Sequence, residues 1–257
     1  MGYATVTGQS SSPALLANWK NFLLIGLVNA ALPFLLITTS ELTLTASMAA
    51  ILNASTPFFA AIVAAVWFGD PLTGKKILGI VLGLTGVVLV VGFSPFPLEA
   101  GVLLAVGMML VASFCYGSGS NLAKARFKSV PTLTMAIGQN FFAGLMLLPL
   151  AILNPPPEMP PANALFSVLM LAVLSTAIAY LISFSLIKRV SATSMTTVTM
   201  LVPFFSVLWS AMFLQEPMGV GQFVGLLVIV FSITLITGTR LPFLRTAAPA
   251  AVTAKSS

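Results

Sequence analysis

Eight long apolar stretches punctuate this chain, at roughly 21–40, 45–68, 74–92, 99–120, 131–153, 164–187, 191–214 and 219–239, and every basic residue falls on one side of their alternation. Lys20 precedes the first stretch. Lys75 and Lys76 lie in the second gap, Lys124, Arg126 and Lys128 in the fourth, Lys188 and Arg189 in the sixth, and Arg240, Arg245 and Lys255 follow the last. The odd gaps hold no base and carry Glu41, Glu99, Glu158 and Glu216; only Asp70 shares a gap with bases. Basic loops are retained in the cytoplasm when a membrane protein inserts. Each stretch has about the 20 residues needed to cross a hydrocarbon core of about 30 Å as a helix. The expectation is an all-α membrane protein of eight transmembrane helices with both termini cytoplasmic. A β-barrel would show shorter segments of alternating polarity.

Composition excludes several function classes. The chain is 58% hydrophobic and 6% charged, whereas soluble proteins carry about 25% charged residues. Its net charge of +6 is spread one to three bases per loop, which reads as topology and lipid head-group contact rather than nucleic-acid binding. There is no histidine and a single cysteine, Cys115, so no intramolecular disulfide forms, and the commonest metal ligand and general base are missing. No catalytic residue, metal site or cofactor is expected. The first residues, MGYATVTGQSSSPALLAN, lack the basic and apolar regions of a signal peptide.

The chain also repeats itself. Shifted by 146 residues, 45–92 aligns with 191–238 without a gap. Pro57-Phe58-Phe59 meets Pro203-Phe204-Phe205, Pro71 meets Pro217, Gly79 meets Gly225, Gly92 meets Gly238, and Asp70 meets Glu216. The charge pattern puts Asp70-Pro71 inside and Glu216-Pro217 outside, so the copies are expected to be inverted. Inverted repeats characterise secondary transporters, whose substrate site lies near the midplane between the halves.

The mid-span Pro57, the run FGDPLTGKKILGIVLGLTGVVLV at 68–90, Pro203 and LQEPMGVGQFVGLL at 214–227 together resemble the EamA domain of the drug/metabolite transporter superfamily. The resemblance covers most of residues 21–240. It implies two five-helix repeats and export of amino acids, metabolites or drugs across the bacterial inner membrane. Only three spans of the first repeat are expected here, because the same shift places the counterparts of the first two spans of the second repeat before residue 1. The expected organisation is a cytoplasmic tail at 1–18, an incomplete first repeat at 19–92, an external linker at 93–98, a second repeat at 99–239 and a disordered cytoplasmic tail at 240–257. A short family member, a start codon assigned too late and a fragment are three explanations. In each, a site using the two helices would be incomplete.

No charged residue lies in the middle third of a span, where it would mark a site. The polar groups at mid-depth are uncharged: Asn29, Asn53, Ser55, Thr56, Gln139, Asn140, Ser175, Thr176 and Thr199. Thr199 aligns with Asn53 under the 146-residue shift, and Thr56 shares a helix face with Asn53. The expected substrate pathway comprises Asn53, Thr56, Pro57, Gln139, Asn140, Tyr180, Thr199 and Pro203. The plainer alternative is interhelical hydrogen bonding worth about 0.6–2 kcal/mol each. Pro57 and Pro203 are expected to act as hinges and to free backbone carbonyls toward a neutral or zwitterionic solute; Pro33 and Pro149 interrupt other spans. Trp67, Trp209 and Tyr116 are either interfacial anchors or cavity walls. The pairs Gly79/Gly83 and Gly221/Gly225 read as close helix contacts. The expected function is an inner-membrane permease working by alternating access, with a small solute and membrane lipid as partners and a homodimer possible. A non-transporting assembly or scaffold protein, or an inactive truncated transporter, is the alternative.

Overall fold

The computed structural model describes residues 18–93, 99–128, 130–156, 158–179, 182, 192–216 and 219–238, whose regular structure is helical, with no strand among them. Helix α1 spans Trp19–Ser40, α2 Ala46–Phe68, α3 Gly74–Gly92 and α4 Ala100–Arg126. Helix α5 spans Thr132–Leu153. Helix α6 runs Ala162–Met170 and continues in wider turns over Leu171–Ile178. Helix α7 runs Ala192–Trp209 and likewise widens over Ser210–Leu214. Helix α8 spans Val220–Thr237.

Six helices among the described residues are long and apolar enough to cross a membrane: α1 to α5 and α8. The expected sixth and seventh spans are represented by shorter apolar helices, Ala162–Ser175 and Leu201–Leu214. The expected span at 99–120 continues to Arg126, placing Lys124 and Arg126 in its last turn, where bases complement the helix dipole. Arg126 Nη1 donates to Asn21 Oδ1 at 2.8 Å and ties that end of α4 to the start of α1.

Proline shapes two of the helices. Pro33 lacks the donor for a regular turn, and the turn before it widens over Leu27–Ala31. Pro57 has the same effect on α2, where helix stops at Asn53 and resumes at Thr56. Proline cannot donate to the carbonyl four residues back, which here is Asn53. The Thr56 hydroxyl donates to that carbonyl instead, at 2.8 Å. The carbonyl expected to face solute is therefore already taken. Helix α7, by contrast, carries Pro203 within a continuous helix.

Glycine decides how α3 meets α8. A Cβ on Gly79 would lie 2.9 Å from the Ser232 carbonyl, and one on Gly225 would lie 2.7 Å from the Gly86 carbonyl. A Cβ on Gly221 would meet the Leu89 carbonyl at 3.1 Å. The two helices thus run antiparallel with backbones in contact. The contacts Gly79–Ser232 and Gly225–Gly86 change places under the 146-residue shift. Gly83 is filled by the ring of buried Phe58 from α2. Around this seam lies the main apolar core, with Met48, Ile51, Leu52, Phe58, Val90, Met109, Leu226 and Ile229 buried.

Candidate functional site

Among the described residues two cavities lie between α2 and α7. One, of about 590 Å³, is bounded by Ile37 and Glu41 near the end of α1, Ala46, Ala49, Ala50 and Asn53 of α2, Met109, and Val202, Ser206, Trp209, Ser210, Phe213 and Leu214 of α7. The other, of about 310 Å³, is bounded by Ala50, Asn53, Ala54, Thr56, Pro57, Tyr116, Val202, Pro203, Ile233 and Thr237. Ala50, Asn53 and Val202 belong to both. The break in α2 explains part of this arrangement, since the turn at Ala54–Ser55 brings Asn53, Thr56 and Pro57 together on one wall.

Asn53 is held from one side only. The Ser113 hydroxyl on α4 lies 3.5 Å from Asn53 Oδ1 and 3.4 Å from the Leu52 carbonyl. Among the described residues no acceptor takes the Asn53 Nδ2 donors. Asn53 is half-buried, so its unused donors are open to water or a ligand. It lies between two cavities.

At the α1–α2 end of the larger cavity, two acids stand side by side with different duties. Glu216, in the loop after α7, accepts from the Ala46 amide at 2.9 Å, the Ser47 amide at 3.1 Å and the Ser47 hydroxyl at 2.6 Å. It caps the first turn of α2, whose own N-cap Thr45 accepts from the Met48 amide. A carboxylate there satisfies orphan amides and opposes the positive end of the helix dipole. Burial pulls the Glu216 carboxyl upward, but hydrogen bonds from Ser47, Ala46 and Ser210 outweigh it and hold the group below its ordinary value. Glu41 goes the other way, raised first by burial and then by the Glu216 charge. Among the described residues no donor reaches the Glu41 carboxylate.

The expected pathway residues divide. Asn53, Thr56, Pro57 and Pro203 line the smaller cavity together, joined by Tyr116. Gln139 and Asn140 do not line either cavity. Gln139 is buried between α5 and α1, accepting from Asn29 Nδ2 at 3.0 Å, where Gly26 lets the α5 backbone come close. Asn140 donates to the Ala136 carbonyl of its own helix at 2.8 Å. Thr199 sits on α7 with only its backbone described, and Tyr180 lies outside the described residues. Trp209 joins the wall of the larger cavity and packs its ring 5.3 Å from that of Phe213, whereas exposed Trp67 lines neither cavity. Glu41, Ser206 and Ser210 are wall residues that no sequence argument singled out. The repeat match of Glu216 with Asp70 marked Glu216 as a paired position without disclosing what it holds.

Comparison with known proteins sets this geometry in context. Residues 2–92 and 103–238 match the sequence profile of the EamA-like transporter family. The uncharacterized transporter YvbV of Bacillus subtilis (strain 168) is 27% identical over 222 residues, spanning 85% of this chain and 72% of YvbV. Protein PecM of Dickeya dadantii (strain 3937) is also 27% identical, over 221 residues that span 85% of this chain and 73% of PecM. One solved crystal structure superposes with a TM-score of 0.60 at 19% identity, covering 91% of this chain and 84% of that one. That likeness is one of fold.

Proposed function

The chain belongs to the EamA-like transporter family, and from that premise we propose that it is an inner-membrane permease moving a small metabolite, amino acid or drug-like compound by alternating access, in the direction of export. The pathway in this reading runs between α2 and α7 and narrows at Ala50, Asn53 and Val202. The observation that carries it is the pair of cavities meeting at those three residues, one on each side of Asn53. A pathway that opens alternately to two sides needs this arrangement: a shared narrow point, a polar group at it, and helices with weakened hydrogen bonding beside it. Pro57 and Pro203 supply the last element.

The same reading keeps eight spans, both ends in the cytoplasm and an inverted repeat. The segregation of Lys and Arg supports the topology. The antiparallel α3–α8 seam, whose glycine contacts interchange under the 146-residue shift, supports the inversion. Asn53→Leu is the direct test. Extracellular metabolites are compared between cells lacking the gene, cells carrying the wild type and cells carrying the variant. Loss of the exported compound at unchanged membrane abundance is the expected result. Undiminished export by Asn53→Leu, or disappearance of the folded protein, assigns Asn53 to packing and removes it from the pathway.

A further inference from the structure

We propose that the larger α2–α7 cavity selects an organic monocation, a solute with one positive charge on an apolar body, and that Glu41 is its counter-charge. This rests on the permease reading above and adds to it the class of solute. Five features of the site converge on that class.

First, among the described residues the cavity wall carries one charged side chain, the Glu41 carboxylate, and no base. Second, the neighbouring Glu216 is engaged by Ala46, Ser47 and Ser210, so it braces α2, and among the described residues Glu41 is the acceptor with unused capacity. Third, Glu41 is exposed at the edge of the cavity, partial burial and then the Glu216 charge disfavour its ionised form, and a cation placed against it offsets the Glu216 charge. Fourth, Trp209 and Phe213, four residues apart on α7, present adjoining rings to the same space. Aromatic faces attract cations electrostatically and also pack apolar groups, so the wall suits both parts of such a solute. Fifth, about 590 Å³ is the size of pocket that encloses a drug-sized molecule.

The same wall discriminates against other charge types. A zwitterion would bring a carboxylate into a space with no cationic partner among the described residues and with Glu41 already present. An anion would meet only that repulsion. The uncharged groups around Asn53 suggested a neutral or zwitterionic solute from sequence; Glu41 at the wall shifts the preference to a net cation. Protonation of Glu41 should release the solute. Of the described groups facing Glu41, Glu216 alone titrates: the α2 wall offers Ala46, Ala49, Ala50 and Asn53, and the α7 wall Val202, Ser206, Trp209, Ser210, Phe213 and Leu214. Binding should therefore weaken as pH falls through the raised Glu41 value.

Three molecules with one apolar body test the charge preference: phenethylamine, cationic at neutral pH; phenylalanine, its zwitterionic carboxylated counterpart; and 3-phenylpropionate, an anion. Binding is measured by calorimetry on the purified full chain in detergent, with Glu41→Gln, Glu41→Asp and Glu99→Gln as variants. The expected order is phenethylamine at least tenfold tighter than phenylalanine, with no saturable binding of 3-phenylpropionate. Glu41→Gln should weaken phenethylamine at least tenfold, Glu41→Asp less, and Glu99→Gln not at all. Phenylalanine binding as tightly as phenethylamine, no saturable phenethylamine binding, or an unchanged affinity in Glu41→Gln would each overturn the proposal. If Asn53-dependent export persists alongside any of those results, the permease reading stands and only the cation preference falls.

Discussion

The α3–α8 seam and the α2–α7 face draw on the same repeated stretch of sequence, yet they solve opposite problems. In the seam, Gly79, Gly86 and Gly225 remove side chains at the contact points, and backbone meets backbone at distances no Cβ could tolerate. Val90, Leu226 and Ile229 bury the flanks completely. Across the α2–α7 face, proline replaces glycine as the telling residue. Pro57 breaks α2, Asn53 has no acceptor for its amide donors among the described residues, and two cavities remain where a seam would be. Within a bilayer, packing rather than the hydrophobic effect drives helix association. In the permease reading proposed above, the pair able to approach closely is the fixed part, and the pair that leaves cavities gives room for a solute.

The largest effect that would break this comparison comes from the seam. Gly86→Leu or Gly225→Leu drives a side chain into the backbone of the facing helix. Each should destabilise the protein by about 3 kcal/mol or more, read as a large fall in the midpoint of thermal unfolding in detergent. Tolerance of both substitutions would mean that α3 and α8 are not locked together, and the contrast between the two faces would disappear.

A smaller effect sharpens the comparison at the repeat-related acids. Glu216 caps α2, whereas its counterpart Asp70 is exposed and no side-chain bond to it occurs among the described residues. Glu216→Ala should cost about 1–2 kcal/mol, and Asp70→Ala less than about 0.5 kcal/mol. The Glu216 contribution depends on pH in a definite direction. Its folded-state value lies below the ordinary 4.5, so the stabilisation is full above that value and is lost as pH falls through the lower folded one. Thermal scans from pH 7 down to pH 3 should show this loss in the wild type and not in Glu216→Ala. Equal costs for the two acids would mean that the cap adds nothing.

Much of this was legible in the chain itself, for reasons tied to particular residues. Apolar runs of membrane length and the segregated bases announced the helices. The repeated Pro and Gly positions located the break at Pro57 and the seam. Asn53, Thr56, Pro57 and Pro203, grouped from depth and repeat symmetry, border one cavity, because both follow from residue number. Gln139 and Asn140 border neither cavity, and sequence could not place them, because an amide within a span declares that it needs a partner without saying which. One found Asn29, presented by the turn widened ahead of Pro33; the other found its own helix. Glu41 was read as a loop acid because a charge map along the chain has no lateral dimension. Its place on a cavity wall comes from how α1 ends beside α2 and α7.

The account turns on water reaching the junction of the two cavities from both sides of the membrane while the seam stays sealed. Two single cysteines, Ala50→Cys at the junction and Val90→Cys in the seam, can be placed in a Cys115→Ser background. Each is then treated with an impermeant thiol reagent in right-side-out and in inside-out vesicles. Ala50→Cys should react in both orientations, and Val90→Cys, fully buried against α8, in neither. An Ala50→Cys thiol that stays unreacted, or reacts in one orientation only, would contradict an alternating pathway between α2 and α7.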